Sequence, residues 1–303
     1  MSHIYVFSPS SAVRDRAAMR RGIARLKALG HEVEVDPAAL ASHMRFAGDD
    51  ATRLAAIHRA TASGADIALI TRGGYGLTRL LPDIRYQAVA KAVNRGLRFV
   101  GLSDFTAFQN ALLAQAGAVS WSGPALGEDF GVEGEPDEIM LACFDDLAGG
   151  AGEGTGWRLP AAEAREKAFK AHGVLWGGNL SVLVSLAGTP WLPQVQGGIL
   201  FLEDVNEHPY RVERMLTQLL HAGVLGRQKA ILLGGFTNYR TVPHDKGFKL
   251  QTVVDWLRQR LKAPVFTGLP FGHVATKVCL PVGQTVDLVV EGRDALVLWG
   301  HEH

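Results

Sequence analysis

Along the first hundred residues the apolar positions switch between two periods. Ile4-Tyr5-Val6-Phe7 is a short apolar run, stopped by Ser8-Pro9-Ser10-Ser11, and reads as a strand followed by a polar loop that caps the next helix. From Ala12 to Leu29 the apolar residues recur at helical spacing (Ala18, Ile23, Leu26, Leu29) among arginines, until Gly30 ends the run. Glu32-Val33-Glu34-Val35-Asp36 alternates as a second strand, stopped by Pro37, and Asp49 to Ser63 is a second amphipathic helix with Asp49 or Asp50 as N-cap. Ile67-Ala68-Leu69-Ile70-Thr71 is almost uniformly apolar, as a parallel strand covered on both faces must be. Strands alternating with helices predict a doubly wound parallel sheet.

The fourth apolar run, Phe99-Val100-Gly101, leads directly into Leu102-Ser103-Asp104-Phe105-Thr106 and a new helical pattern to Gln115. A serine on a sharp strand-to-helix turn has the layout of a nucleophile elbow, although Phe105 stands where a second glycine usually falls. Gly-x-Ser-Asp is also an ordinary helix start, with Ser103 or Asp104 as N-cap. The third strand ends in Arg72-Gly73-Gly74-Tyr75-Gly76, three glycines in four positions, where the backbone can approach a ligand closely. That loop lacks the spacing of a dinucleotide or P-loop motif. Because ligands bind outside the carboxyl ends of parallel strands, the glycine loop and the elbow are expected side by side.

Further along, Val119 to Pro124 reads as a short strand and turn and Pro136–Leu147 as a helix. Residues 148–156 hold five glycines in nine positions. This predicts a first domain over 1–150, a glycine-rich linker over 151–165 and a second, smaller mixed α/β domain over 166–303. In the second half, Gly173 to Leu180 reads as a strand running into a Gly177-Gly178 turn, with Asn179 capping the helix Leu180–Ala187. Ile199–Leu202 is a buried strand closed by Glu203-Asp204, and Tyr210–Ala222 is a helix with Val212, Met215, Leu216 and Leu219 inside. Ala230–Leu233, the helix Leu250–Leu261 and Val265–Thr267 follow, then three short antiparallel strands at Lys277–Leu280, Thr285–Val290 and Ala295–Trp299.

Composition narrows the function classes. The chain has 303 residues, 47% hydrophobic and 20% charged, with 35 glycines, which describes a folded globular protein of one or two domains. A formal net charge of +1 gives no electrostatic reason to expect nucleic acid or an anionic membrane as partner. Cys143 and Cys279, the only cysteines, supply neither a disulfide framework nor a zinc ligand set and fit a reducing compartment. The N-terminus reads as a first strand and not as a signal peptide, and no apolar run reaches the roughly 18 residues of a membrane span. A cytoplasmic protein is expected.

An elbow serine needs a base and an acid to orient it. Of the eleven histidines, most lie at surface, helical or terminal positions, His301 and His303 among them. His273 differs: Gly268-Leu269-Pro270-Phe271-Gly272-His273 is a glycine-flanked loop straight after a buried strand, where sites are usually built. For the acid, Glu203, Asp204 and Glu207 compete, and spacing does not separate them. No His-Glu-x-x-His or similar metal spacing is present.

Five segments taken together resemble one family. Arg72-Gly73-Gly74-Tyr75-Gly76, Gly101-Leu102-Ser103-Asp104-Phe105-Thr106-Ala107, Trp176-Gly177-Gly178-Asn179-Leu180, Leu202-Glu203-Asp204-Val205-Asn206-Glu207-His208-Pro209 and Gly268 to His273 are similar, in order and spacing, to the LD-carboxypeptidase family of serine peptidases. The likeness is strongest to its cytoplasmic branch acting on murein tetrapeptide. It implies a catalytic triad of Ser103, His273 and Glu203, assembled between two domains, with the amides of Asp104 and Gly74 as oxyanion hole. Arg72, Tyr75 and Asn179 become substrate or scaffold contacts. It further implies a homodimer, no metal, no cofactor, and release of the terminal D-alanine from L-Ala–D-Glu–meso-diaminopimelate–D-Ala during cell-wall recycling. The alternatives are a microcin-immunity-type peptidase cleaving aminoacyl-nucleotide conjugates, which shares the serine, glutamate and histidine motifs, and a non-catalytic protein whose glycine loops hold a small anion.

Overall fold

A computed structural model describes residues 1–300; His301 and His303, and the end of the domain expected over 166–303, lie outside the described residues. In chain order the elements are β1 (His3–Phe7), α1 (Arg16–Ala28), β2 (Glu32–Val35), α2 (Asp50–Ala62), β3 (Ile67–Ile70), α3 (Tyr86–Val93), β4 (Arg98–Gly101), α4 (Thr106–Ala116), β5 (Ser120–Ser122) and α5 (Glu138–Gly149). The chain continues with β6 (Gly154–Arg158), β7 (Arg165–Asn179), α6 (Leu180–Ser185), β8 (Ile199–Val205), α7 (Pro209–His221), β9 (Ala230–Thr237), α8 (Leu250–Arg258) and β10 (Val265–Phe266). It closes with β11 (Leu280–Val282), β12 (Thr285–Gly292) and β13 (Asp294–Leu298). No helix among the described residues is long and apolar enough to cross a membrane.

Two units separate, and the first is discontinuous: Met1–Gly152 joined by Ala275–Gly283. Its six-stranded sheet has the order β11-β5-β4-β3-β1-β2, parallel throughout except for β11. The doubly wound expectation holds here, and the all-apolar runs show why. Ile4, Val6, Ile67, Leu69 and Val100 join a core with Met19, Leu26, Leu126, Phe130 and Phe144. Phe7 and Phe99, by contrast, enter an aromatic cluster with Phe105 and Phe108. Successive strand residues point to opposite faces, so strands covered by two such clusters can carry no polar alternation.

The second unit is Glu153–Val274 with the chain from Gln284 onward. Its seven-stranded sheet has the order β10-β9-β8-β7-β12-β13-β6. The side from β7 to β10 is parallel and the side from β7 through β12 and β13 to β6 is antiparallel. The helix α7 buries Val212, Met215, Leu216 and Leu219 as its spacing predicts.

Three differences from the sequence reading come from pairings with distant parts of the chain. Residues 154–158, inside the stretch expected as linker, form the edge strand β6, whose glycines Gly154 and Gly156 sit against Leu298 and Leu296 of β13. Gly177 and Gly178 are not a turn; they lie inside β7, in register with Phe201 and Leu202 of β8. The third difference is that residues 275–283 return to the first unit. There β11 pairs with β5, Thr276 Oγ1 donates to Asp137 Oδ2 at 2.6 Å, and Lys277 Nζ donates to the buried Asp129 Oδ1 at 2.6 Å.

Candidate active site

In the first unit β4 stops at Gly101, Leu102 is extended, and Ser103 has φ of 64°. A left-handed backbone at a serine is strained by roughly 1–2 kcal/mol and persists only where the surroundings impose it. One 3₁₀ turn, Ser103–Phe105, then runs into α4. Neither Ser103 nor Asp104 caps α4, so the ordinary helix-start reading is not what the chain does. Phe105 needs no glycine's freedom: it is fully buried and stacks on Phe108 with ring centroids 4.8 Å apart.

The glycine loop after β3 is held against this turn. A Cβ on Gly73 would lie 2.6 Å from Ser103 Cβ and 2.9 Å from its Oγ, which is why no larger residue fits. Asp104 ties the two together, its buried carboxylate accepting from the Leu77 amide at 2.9 Å and from Ser10 Oγ at 2.7 Å. Burial pushes the Asp104 carboxyl up, against the downward pull of those bonds. Ser11 Oγ accepts from the Tyr75 amide at 3.1 Å. The serines expected to cap α1 therefore brace the loop and the elbow, and Asp15 does the capping, accepting from the Ala18 amide at 2.8 Å. Arg72 donates to the Ala12 carbonyl at 3.4 Å and faces Glu128 at 3.8 Å. Tyr75 is half exposed, its ring tilted against Phe46 at 5.9 Å with Arg45 above it at 5.6 Å.

In the second unit Glu203 lies on β8 and is fully buried. Its Oε2 is 2.8 Å from His273 Nδ1, and its Oε1 accepts from Asn179 Nδ2 at 3.1 Å. The same amide nitrogen donates to Asp204 Oδ1 at 3.0 Å, while Asn179 Oδ1 accepts from Val182 and so caps α6. Neighbouring strand residues ordinarily face opposite sides of a sheet. Here the pairing of β8 with β9 shifts register between Leu202 and Asp204, and both carboxylates meet Asn179. Bulges recur where a side chain has to be re-aimed. The Asp204 carboxyl is pushed up to about 6 by burial, with the Glu203 charge adding to the rise and the Val205 amide and Asn179 opposing it.

The histidine loop follows β10. Gly272 has φ of 130°, and a Cβ there would sit 3.0 Å from Glu203 Oε2, so glycine lets the loop carry His273 onto the carboxylate. Phe271 anchors it, edge-on to Phe201 at 5.4 Å, and Thr237 Oγ1 donates to the His273 carbonyl at 3.3 Å. Among the three competing acids, Glu203 is the one bonded to the histidine. Glu207 pairs with Arg211 at 2.5 Å, and Asp204 accepts from the Ser181 amide at 2.9 Å. The first unit thus gathers Ser103, Asp104, Gly74, Arg72 and Tyr75, and the second gathers Glu203, His273 and Asn179. Sequence reasoning missed Ser10, Ser11 and the Asn179–Asp204 bond, whose only signals were polar residues beside a glycine loop and a strand-end acid pair.

Residues 4–123 match the LD-carboxypeptidase N-terminal domain and residues 172–288 the LD-carboxypeptidase C-terminal domain. The murein tetrapeptide carboxypeptidase of Pseudomonas aeruginosa is 32% identical over 276 residues, 88% of this chain and 83% of that protein. The crystal structure of a muramoyltetrapeptide carboxypeptidase from Oxalobacter formigenes is 40% identical, covers 99% of both chains and superposes with a TM-score of 0.88. The microcin C7 self-immunity protein MccF, in complex with aspartyl sulfamoyl adenosine, superposes with a TM-score of 0.85 over 98% of this chain and 95% of that one. At 22% identity that likeness shows a shared fold.

Proposed function

The chain belongs to the LD-carboxypeptidase family and is a serine carboxypeptidase, and we propose that it releases the terminal D-alanine from murein tetrapeptide by a Ser103–His273–Glu203 triad. The observation that carries the assignment of residues is the 2.8 Å bond between His273 Nδ1 and the fully buried Glu203. A buried carboxylate on one ring nitrogen fixes the tautomer and leaves the other to exchange protons.

In this reading Ser103 Oγ attacks the carbonyl of the diaminopimelate–D-alanine bond as His273 Nε2 takes its proton. The amides of Asp104 and Gly74 receive the oxyanion, each donor contributing about 3 kcal/mol to the barrier reduction. His273 then returns the proton to the leaving nitrogen, D-alanine departs, and water hydrolyses the acyl-serine with His273 as base. Tyr75 and Asn179 are assigned to substrate contact and scaffold respectively, Asn179 because it holds Glu203 and caps α6 at once. We place the protein in the cytoplasm as a homodimer acting in peptidoglycan recycling, with neither nucleic acid nor membrane as partner; the formal charge of +1 supports the last point.

Incubation of the purified protein with murein tetrapeptide is expected to yield free D-alanine, undiminished by EDTA. No D-alanine, with turnover of an aminoacyl-nucleotide conjugate, would instead establish the microcin-immunity-type activity. The close approach of Gly73 gives a second expectation. Gly73→Ala forces its Cβ into Ser103, and a displacement of about 1 Å at the nucleophile costs on the order of 10²-fold in kcat/KM. An unchanged kcat/KM for Gly73→Ala would mean that the elbow does not position the reacting hydroxyl.

A further inference from the structure

Two buried carboxylates stand side by side on β8, and the triad uses only one of them. Glu203 is fully buried and Asp204 is 3% exposed, and both lie in the second unit with Asn179 and His273. Three N–H groups hold Asp204. Asn179 Nδ2 at 3.0 Å and the Val205 amide at 2.8 Å donate to Oδ1, and the Ser181 amide at 2.9 Å donates to Oδ2. Donors on both oxygens suit a carboxylate and not a carboxylic acid, whose own proton needs an acceptor. The segments packed on β8 supply no charge of their own. Leu175–Asn179 of β7, Ala230–Thr237 of β9 and the helix α6 carry no titratable side chain. Within β8 the one charged neighbour is Glu203, and beyond Glu203 stands His273. The next charged residues along the chain, Glu207 and Arg211, pair with each other.

Asn179 connects the second carboxylate to the triad. Its amide nitrogen has two hydrogens, one for Asp204 Oδ1 and one for Glu203 Oε1 at 3.1 Å. Its oxygen accepts from the Val182 amide at 3.1 Å, so the amide cannot flip without losing the cap of α6. Glu203 Oε2 is thereby left for His273 Nδ1. The series Asp204–Asn179–Glu203–His273 runs through contacts of 3.0, 3.1 and 2.8 Å. A regular strand would turn Asp204 to the face opposite Glu203. The register shift after Leu202 is what brings both carboxylates to one amide.

On the triad reading above, we propose that Asp204 is a positioning residue for the base: through Asn179 it aligns Glu203, and its charge adds to the field that favours the His273 imidazolium. It acts through Glu203 and not on the substrate. While Asp204 is ionised, Asn179 is held between two acceptors and the imidazolium formed on deprotonation of Ser103 faces two negative charges. Burial raises the Asp204 carboxyl to about 6, and the Glu203 charge adds to the rise. As the pH falls through that value, Asp204 takes up a proton, one of its N–H donors meets an O–H, and one of the two charges is lost.

The test reads kcat/KM for D-alanine release against pH, which reports ionisations of the free enzyme. Wild-type activity is expected to fall with two protons on the acid side, one for the base and one for Asp204. The logarithmic slope then steepens from one towards two below about pH 6. Asp204→Asn keeps the shape and the oxygen facing Asn179 but removes the charge. It is expected to lower the plateau about tenfold and to fall with slope one. Its acid limb should move about half a pH unit or more to lower pH, because the imidazolium has lost a negative neighbour. A wild-type limb that stays at slope one overturns the proposal without any variant. So does a folded Asp204→Asn protein whose limb coincides with the wild type, whatever its rate, since a merely structural aspartate lowers the rate without moving the limb. If thermal melts show that the variant does not fold, the wild-type slope decides. Activity retained by Ser103→Ala overturns the triad reading and this role with it. An inactive Ser103→Ala beside an unmoved Asp204→Asn limb overturns this role alone.

Discussion

Ser103→Ala is expected to abolish D-alanine release, with kcat falling on the order of 10⁶-fold, while the protein stays folded. Where a triad acts as a unit, loss of its nucleophile removes nearly the whole triad contribution and leaves only binding and the oxyanion hole. Ser103→Gly distinguishes this from a structural role. Ser103 sits at φ of 64°, a conformation that costs an L-residue roughly 1–2 kcal/mol and a glycine nothing comparable. Glycine adds about 0.5–1 kcal/mol of unfolded-chain entropy. Ser103→Gly should therefore be neutral in stability or gain up to about 1.5 kcal/mol, a thermal midpoint shift of a few degrees upward at most, and it should be as inactive as Ser103→Ala. A serine kept for structure alone would show the reverse pattern: lost stability and retained turnover. Either variant retaining a tenth of the wild-type kcat ends the nucleophile assignment.

The strained serine also shows what could be read in advance and what could not. Most strands and helices of the first unit were legible because each is set by local pattern: uniformly apolar strands between two clusters, one helix stopped by Gly30 and one capped by Asp49, whereas α3 was not read and α1 is capped by Asp15 in place of the expected serine loop. Both the elbow and the histidine loop were visible as glycine-flanked polar residues after apolar runs. Non-local decisions were not visible. Gly177 and Gly178 carry a turn signal, yet they serve close approach to β8, a contact 24 residues away in register. Gly154 and Gly156 look like linker and pair with β13, more than a hundred residues on. The segment 275–283 leaves its sequence neighbours because Asp129 and Asp137, far upstream, bind Lys277 and Thr276. Glu203, Asp204 and Glu207 could not be ranked by spacing, since the ranking comes from a register shift between β8 and β9.

That ranking supports the second large effect. Glu203→Gln is expected to lower kcat by on the order of 10⁴-fold with little loss of stability, the cost of holding a catalytic histidine in the wrong tautomer. The direction follows from Asn179. Its amide nitrogen donates to Glu203 Oε1 at 3.1 Å, so a glutamine at position 203 turns its carbonyl oxygen toward Asn179. The glutamine NH₂ then points at His273 Nδ1, which must accept. The histidine proton moves to Nε2, the nitrogen to which the proposed triad assigns the Ser103 proton, and general-base catalysis is expected to stop. Glu207 has no such lever. It pairs with Arg211 four residues on, a helix-end pair whose arginine is half exposed, of the kind that contributes about 0.3–0.5 kcal/mol, and Glu207→Gln should leave kcat within about threefold of wild type. Measured side by side, Glu203→Gln should be nearly inactive and Glu207→Gln nearly normal. The opposite order would transfer the orienting role to Glu207, and equal activity would show that no carboxylate on this strand end orients the base.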